Sequence, residues 1–131
     1  QATIVSIDVK KNLLGNKTVR IFGGTKDTKL NPTDWAKEAE NLGAGEILLT
    51  SIDKEGTWDG FDVDLVSKIT KKVNIPVIVN GGAGKIEHIL EVINKTQVSA
   101  VALGSMVVYQ KKGMGVLVNF PNKNELQNIK S

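Results

Sequence analysis

The stretch Pro76-Val77-Ile78-Val79-Asn80-Gly81-Gly82-Ala83-Gly84 decides the fold. A short run of β-branched residues predicts a strand over residues 76–80, apolar on both faces as in a parallel sheet. The glycine-rich turn 81–84 follows at once. Beyond it, Ile86, Ile89, Leu90 and Ile93 recur at helical spacing. Buried strand, tight turn and amphipathic helix make one βα unit.

The same unit repeats on either side. Residues 46–50 form another short apolar run, followed by the polar loop 51–60. Asp62 can then cap a helix whose apolar stripe is Leu65, Val66, Ile69 and Val73. Downstream, residues 100–104 read as a third buried strand and 105–109 as a short helical turn. Upstream, residues 3–8 are rich in β-branched side chains and end in an acid. Gly15 and Asn16 would turn that strand into a small hairpin with residues 19–22, and 23–31 read as loop. Asn31 and Pro32 are an N-cap and a first-turn proline, ahead of Trp35, Ala36, Ala39 and Leu42 at helical spacing. Gly43 ends that helix. In the tail, residues 116–120 read as a strand or extended segment and 122–130 as a terminal helix.

Four strands alternating with helices predict an α/β fold with parallel strands and outer helices. The spacing fits a (β/α)4 half of a TIM (β/α)8 barrel, and an open doubly wound sheet fits the pattern equally. At 131 residues the chain is expected to be one domain, 1–131. A net charge of +3 is too small and dispersed to indicate nucleic acid, although it suits an anionic substrate. The pairs Lys71-Lys72 and Lys111-Lys112 are read as solvated surface. There is no cysteine, so disulfides, thiolate metal sites and cysteine nucleophiles are excluded. No metal or cofactor is expected. No apolar run reaches the roughly 18 residues of a membrane span, and the N-terminus does not read as a signal peptide. A cytoplasmic location is the expectation. The start at Gln1, directly before a strand, suggests a processed or excised piece.

In such an array, active sites are built at the C-terminal ends of the strands. The polar residues fall there: Asp8, then Thr50, Ser51 and Asp53, then Asn80, Gly81 and Gly82, then Gly104 and Ser105. Two glycine turns in consecutive βα loops match the usual barrel phosphate site. Asp8 is either a general acid/base or a loop-bonding carboxylate. The long loop 51–60, with Asp53, Glu55, Thr57 and Trp58, is either functional or solvated surface. His88 is read as surface, because no second histidine exists for a relay. Glu46 opens its strand and so falls at the opposite end.

Gly43-Ala44-Gly45-Glu46-Ile47-Leu48-Leu49-Thr50-Ser51-Ile52-Asp53, followed by Gly56-Thr57, resembles the sixth-strand signature of the cyclase subunit of imidazole glycerol phosphate synthase. Gly81-Gly82-Ala83-Gly84-Lys85 resembles its seventh loop, and Val5-Ser6-Ile7-Asp8 the end of its fifth strand. Trp35 also stands where that family has a tryptophan. The resemblance covers the second half of that family's barrel, so it implies a single C-terminal half-barrel domain. It implies a lyase of histidine biosynthesis that takes ammonia from a glutaminase partner and acts on a phosphorylated ribonucleotide. Asp8 matches one of two catalytic aspartates, and the other would lie upstream. Gly81, Gly82, Gly104 and Ser105 match positions on one substrate phosphate. Thr50, Asp53, Gly56, Thr57 and Asn80 are expected to complete the substrate site. Glu46 matches a charged gate for ammonia at the barrel floor. Asn80 and Glu55 depart from the usual Ser and Asp. The tail Gly115-Val116-Leu117-Val118-Asn119-Phe120-Pro121 is similar to a paralogous branch that amidates surface-polysaccharide sugars. A non-catalytic half barrel is a further alternative. A half barrel would leave two sheet edges and its inner face uncovered, which predicts a homodimer.

Overall fold

The computed structural model describes residues 3–109 and 112–129. Gln1, Lys111 and Lys130, which figure in the expectations above, lie outside the described residues.

Strand β1 (Ile4–Lys11) and β2 (Lys17–Ile21) form the expected hairpin, extended by the two-residue β3 (Lys26–Asp27). Helix α1 (Pro32–Asn41) starts where Asn31 accepts hydrogen bonds from the Thr33 and Asp34 amides, and Pro32 occupies the first turn. It stops before Gly43, whose φ of +101° suits a residue without a Cβ. Then come β4 (Glu46–Ser51), a 3₁₀ turn over Ile52–Lys54, and α2 (Val63–Thr70), capped by Asp62 on the Leu65 amide. Next are β5 (Val77–Asn80), α3 (Ile86–Lys95), β6 (Ala100–Ala102), the one-turn α4 (Ser105–Val108) and α5 (Lys123–Ile129).

One sheet runs in the order β3-β2-β1-β4-β5-β6. β1, β4, β5 and β6 are parallel. The sheet is not wholly parallel, because β2 and β3 add to it antiparallel. The hairpin pairs only with residues 8–11 of β1, so it rises above the C-terminal ends of the strands.

Side chains alternate along each strand. Ile7, Val9, Ile47, Leu49, Val77 and Val79 project to one face. There they form a single core with Ala36, Leu65, Val66, Ile69, Ile89 and Val92 of the helices. The other face carries Ile4, Ser6, Asp8, Glu46, Leu48, Thr50, Ile78 and Asn80, none of them in that core, and among the described residues no helix packs on it. Parallel strands with helices packed on one face make this an α/β fold, part of a TIM barrel, rather than an open doubly wound sheet with helices on both faces.

One expectation needs correction. β6 is shorter than expected and is not buried: Ala100 is exposed and Val101 and Ala102 half-buried, because β6 is an edge strand with a neighbour on one side only. Residues 116–120 take the second of their two expected forms, an extended segment, with one bridge, Tyr109 to Val116, and hydrogen bonds to the carbonyls of Val107 and Val108. The apolar side chains of Val116, Leu117, Val118 and Phe120 are exposed.

Candidate functional site

Parallel register sets the first feature of the site. Asp8 pairs with Thr50, Thr50 with Asn80, and Asn80 with Ala102. Paired residues point to the same face, so these side chains form one row across the helix-free face at the C-terminal ends. Strands lie about 4.8 Å apart, which puts Asp8 roughly 10 Å from Asn80. The Asn80 amide donates to the Thr50 hydroxyl at 3.3 Å. The Asp8 carboxylate makes no hydrogen bond or ion pair among the described residues, and Asp8 is half-buried. Arg20, its partner in the hairpin, continues the row and is held by Asp27 at 3.3 Å.

A cleft opens beside the Asn80 end of this row. Its walls are Asn80, Gly81, Gly82 and Ala83 on one side and Ala102, Gly104 and Ser105 on the other. Glu55 and Gly56 of the loop after β4 form the rim. Its volume is about 90 Å³, far below the several hundred that hold a whole drug-sized ligand and suited to a small polar group. None of the described residues lining it is basic, so any attraction for an anion comes from backbone N–H groups and the Ser105 and Asn80 side chains.

The glycines divide by role. A Cβ on Gly82 would sit 2.1 Å from the Gly60 carbonyl oxygen, and one on Gly84 2.6 Å from that of Trp58. Their small size lets the turn after β5 pack against the loop after β4, which is a reason distinct from ligand approach. Gly60 donates its N–H to the Gly82 carbonyl at 2.8 Å across the same seam. Gly104 differs: a Cβ there would meet nothing within 4 Å, so its bareness keeps the cleft open.

Six of the expected substrate residues therefore meet in one cleft: Gly56, Asn80, Gly81, Gly82, Gly104 and Ser105. Thr50 adjoins it through Asn80, and Asp8 shares its row. Asp53 and Thr57 do not line it. The Asp53 carboxylate accepts from the Lys11 amide at 2.7 Å and so pins the hairpin to the 3₁₀ turn. The Thr57 hydroxyl donates to the Lys54 carbonyl and accepts from the Asp59 amide, folding its own loop. Glu46 pairs with Ile4 at the far end of β4, away from the cleft. His88 is not free surface: it is half-buried, and its Nδ1 accepts from the Gly84 amide at 3.1 Å. Its place four residues after Gly84, in the first turn of a helix, was the available signal. Ala83 and Ala102 were not anticipated, since small apolar residues carry no mark of a cleft wall.

Fold and site define a partial (β/α)8 barrel with its polar residues gathered at the C-terminal ends of the strands. Residues 1–113 match the family model described as histidine biosynthesis protein, and the chain belongs to that family. It is 44% identical to the imidazole glycerol phosphate synthase subunit HisF of a Hydrogenobaculum species, over 126 residues that make up 96% of this chain and 50% of the relative. It is 54% identical over 100 residues to the subunit of that name from Saccharolobus solfataricus, covering 76% of this chain and 39% of the relative. With that of Sulfurisphaera tokodaii the identity is 51% over 106 residues, 79% of this chain and 41% of the relative. The chain spans about half the length of the curated relatives it matches. Among the described residues, no helix is long and apolar enough to cross a membrane.

Proposed function

We propose that this chain is the C-terminal half barrel of a cyclase subunit that uses ammonia to form imidazole glycerol phosphate. The observation that carries this reading is the cleft between the two glycine-bearing loops, in one row with Asp8. A phosphate seated against Gly81, Gly82, Gly104 and Ser105 would leave the rest of a ribonucleotide to extend along the row. About 10 Å on, it would reach the Asp8 carboxylate. There Asp8 acts as a general acid/base, moving a proton as ammonia adds and the ring closes. The second carboxylate comes from the other half of the barrel. Glu46, at the opposite end of β4, gates the entry of ammonia delivered by a glutaminase subunit. Asp53 and Thr57 support the site by fixing the hairpin and the loop after β4.

The extended tail favours a second reading. Residues 116–120 form no helix, and the family match ends at residue 113. Both fit the paralogous branch that passes ammonia to a polysaccharide sugar precursor.

Inorganic phosphate tests the shared part of both readings. Millimolar phosphate should raise the melting temperature of the chain, since a ligand that binds only the folded state stabilises it. A folded chain with an unchanged transition would overturn the cleft assignment. Mixing with a matching N-terminal half then tests the activity: turnover of the ribonucleotide supports the cyclase, and a folded, inactive complex leaves a non-catalytic scaffold.

A further inference from the structure

The His88 imidazole touches the turn after β5, which walls the cleft, and the loop after β4, which rims it. It is the chain's one histidine and lies in the first turn of α3. Its Nδ1 accepts the Gly84 N–H at 3.1 Å, and its ring lies against Gly60, where an added Cβ would stand 3.5 Å from Cδ2. Gly60 in turn donates to the Gly82 carbonyl. A closed circuit results: Gly84, His88, Gly60, Gly82. The N-cap of α3, Lys85, offers no side-chain hydrogen bond, and His88 reaches back from the third helical position to the Gly84 N–H, one residue beyond the N–H that a capping box bonds.

This circuit fixes which backbone groups are left for a ligand. The Gly84 N–H is spent on the imidazole. The Gly82 carbonyl is spent on Gly60, and in a trans peptide the N–H of the next residue points the opposite way. The Ala83 N–H is thereby turned from the loop after β4, and Ala83 is one of the residues lining the cleft. Acceptance at Nδ1 requires the neutral ring with its proton on Nε2. A proton on Nδ1 would set donor against donor at Gly84.

We propose that His88 is a positioning residue of the oxyanion cleft: its neutral Nε2–H ring locks the turn 81–84 against the loop after β4 and so presents the Ala83 N–H to the anion. This rests on the cleft being an oxyanion site, and deepens that reading. Glu91, one turn on in α3, interacts with His88 and with Lys54 of the 3₁₀ turn, and Asp59, Lys85 and Glu87 are the charged neighbours in sequence of Gly60 and His88.

The test uses the whole chain and sulfate, an oxyanion whose charge is constant from pH 5 to 8. Amide shifts of Gly81, Gly82, Ala83, Gly104 and Ser105 report binding. Nitrogen shifts of the single imidazole report its tautomer. In the wild type at pH 8 the ring should be the Nε2–H tautomer, and an Nδ1–H ring overturns the inference. His88→Phe keeps a flat ring on Gly60 but removes the acceptor, and should weaken sulfate about tenfold, the worth of one hydrogen bond. His88→Gln supplies the acceptor that capping boxes use at this position and should recover wild-type affinity within about twofold. Equal affinity in the wild type and the Phe variant, or equal loss in both variants, overturns the inference. Failure of the cleft reading looks different: the wild type itself shows no sulfate response, and the inference falls with it.

Discussion

Gly82 and Gly104 lie in the same cleft and are needed for opposite reasons. Gly82 has a φ of +112° and faces the Gly60 backbone, so Gly82→Ala forces two loops apart. Gly104 has a negative φ and open space before it, so Gly104→Ala meets no neighbour and puts a methyl group into the cleft. We expect Gly82→Ala to lose both stability and phosphate binding, at a cost of about 1–3 kcal/mol for the strained backbone. Gly104→Ala should lose less stability in urea than Gly82→Ala, having no clash to relieve, while losing phosphate affinity. Urea titration and a phosphate-dependent melting shift, measured on both variants, check the pair. Sequence alone gave the two glycines one role, because a glycine shows that a Cβ is excluded without showing by what. The same blindness explains Asp53 and Thr57. A carboxylate and a hydroxyl in a long loop look like ligand groups until the Lys11 amide and the Lys54 carbonyl are seen to occupy them.

Among the elements, the βα repeat was legible because the strands are apolar by their own composition, the helices carry stripes, and two of them carry caps. The Asn31-Pro32 start and the Asp62 cap are local chemistry, complete within a few residues. What failed was decided by neighbours. β6 reads as a buried strand in sequence and is an exposed edge in the sheet. For residues 116–120 the sequence leaves strand and extended segment open, and their hydrogen bonds to the carbonyls of Val107 and Val108 go with the extended form. One contact between elements makes a pH prediction. Glu40 at the end of α1 is bonded to Lys37 and to the Asn74 amide ahead of β5. Those bonds, the Lys37 contact foremost, hold its carboxyl below the ordinary glutamate range. The unfolded chain therefore takes up this proton at higher pH than the folded one. The contribution to stability is present above about pH 4.3, where a free glutamate titrates, and is lost as pH falls through and below that value. The urea midpoints of the wild type and Glu40→Gln should differ at pH 7 and converge towards pH 3. A constant gap would mean that the carboxylate charge is not what joins α1 to the turn before β5.

For the whole molecule, the decisive fact is that adjacent residues of one strand have different fates. Leu49 lies in the core under the helices and is 1% exposed. Leu48 points to the helix-free face, with Ile78 beside it and Ile4, on the same face, 56% exposed. A sheet that buries one face only, with the hairpin side of residues 4–7 of β1 and the outer side of β6 unpaired among the described residues, is poorly suited to water. In the full-length relatives' architecture, the other half of a barrel would cover that face. For this chain alone, the available cover of matching shape is a second copy, joined about a two-fold axis so that each helix-free face closes the other. Leu49→Ala should then cost about 2–5 kcal/mol of folding stability, as truncation of a buried leucine does. Leu48→Asp should instead release monomers, because its charge would fall between the two copies and not in the core of either. Sedimentation separates these results: a dimeric wild type, a dimeric but less stable Leu49→Ala, and a folded monomer for Leu48→Asp. A wild type that sediments as a monomer at micromolar concentration would mean that the chain tolerates its open face, and that the helices alone hold the sheet.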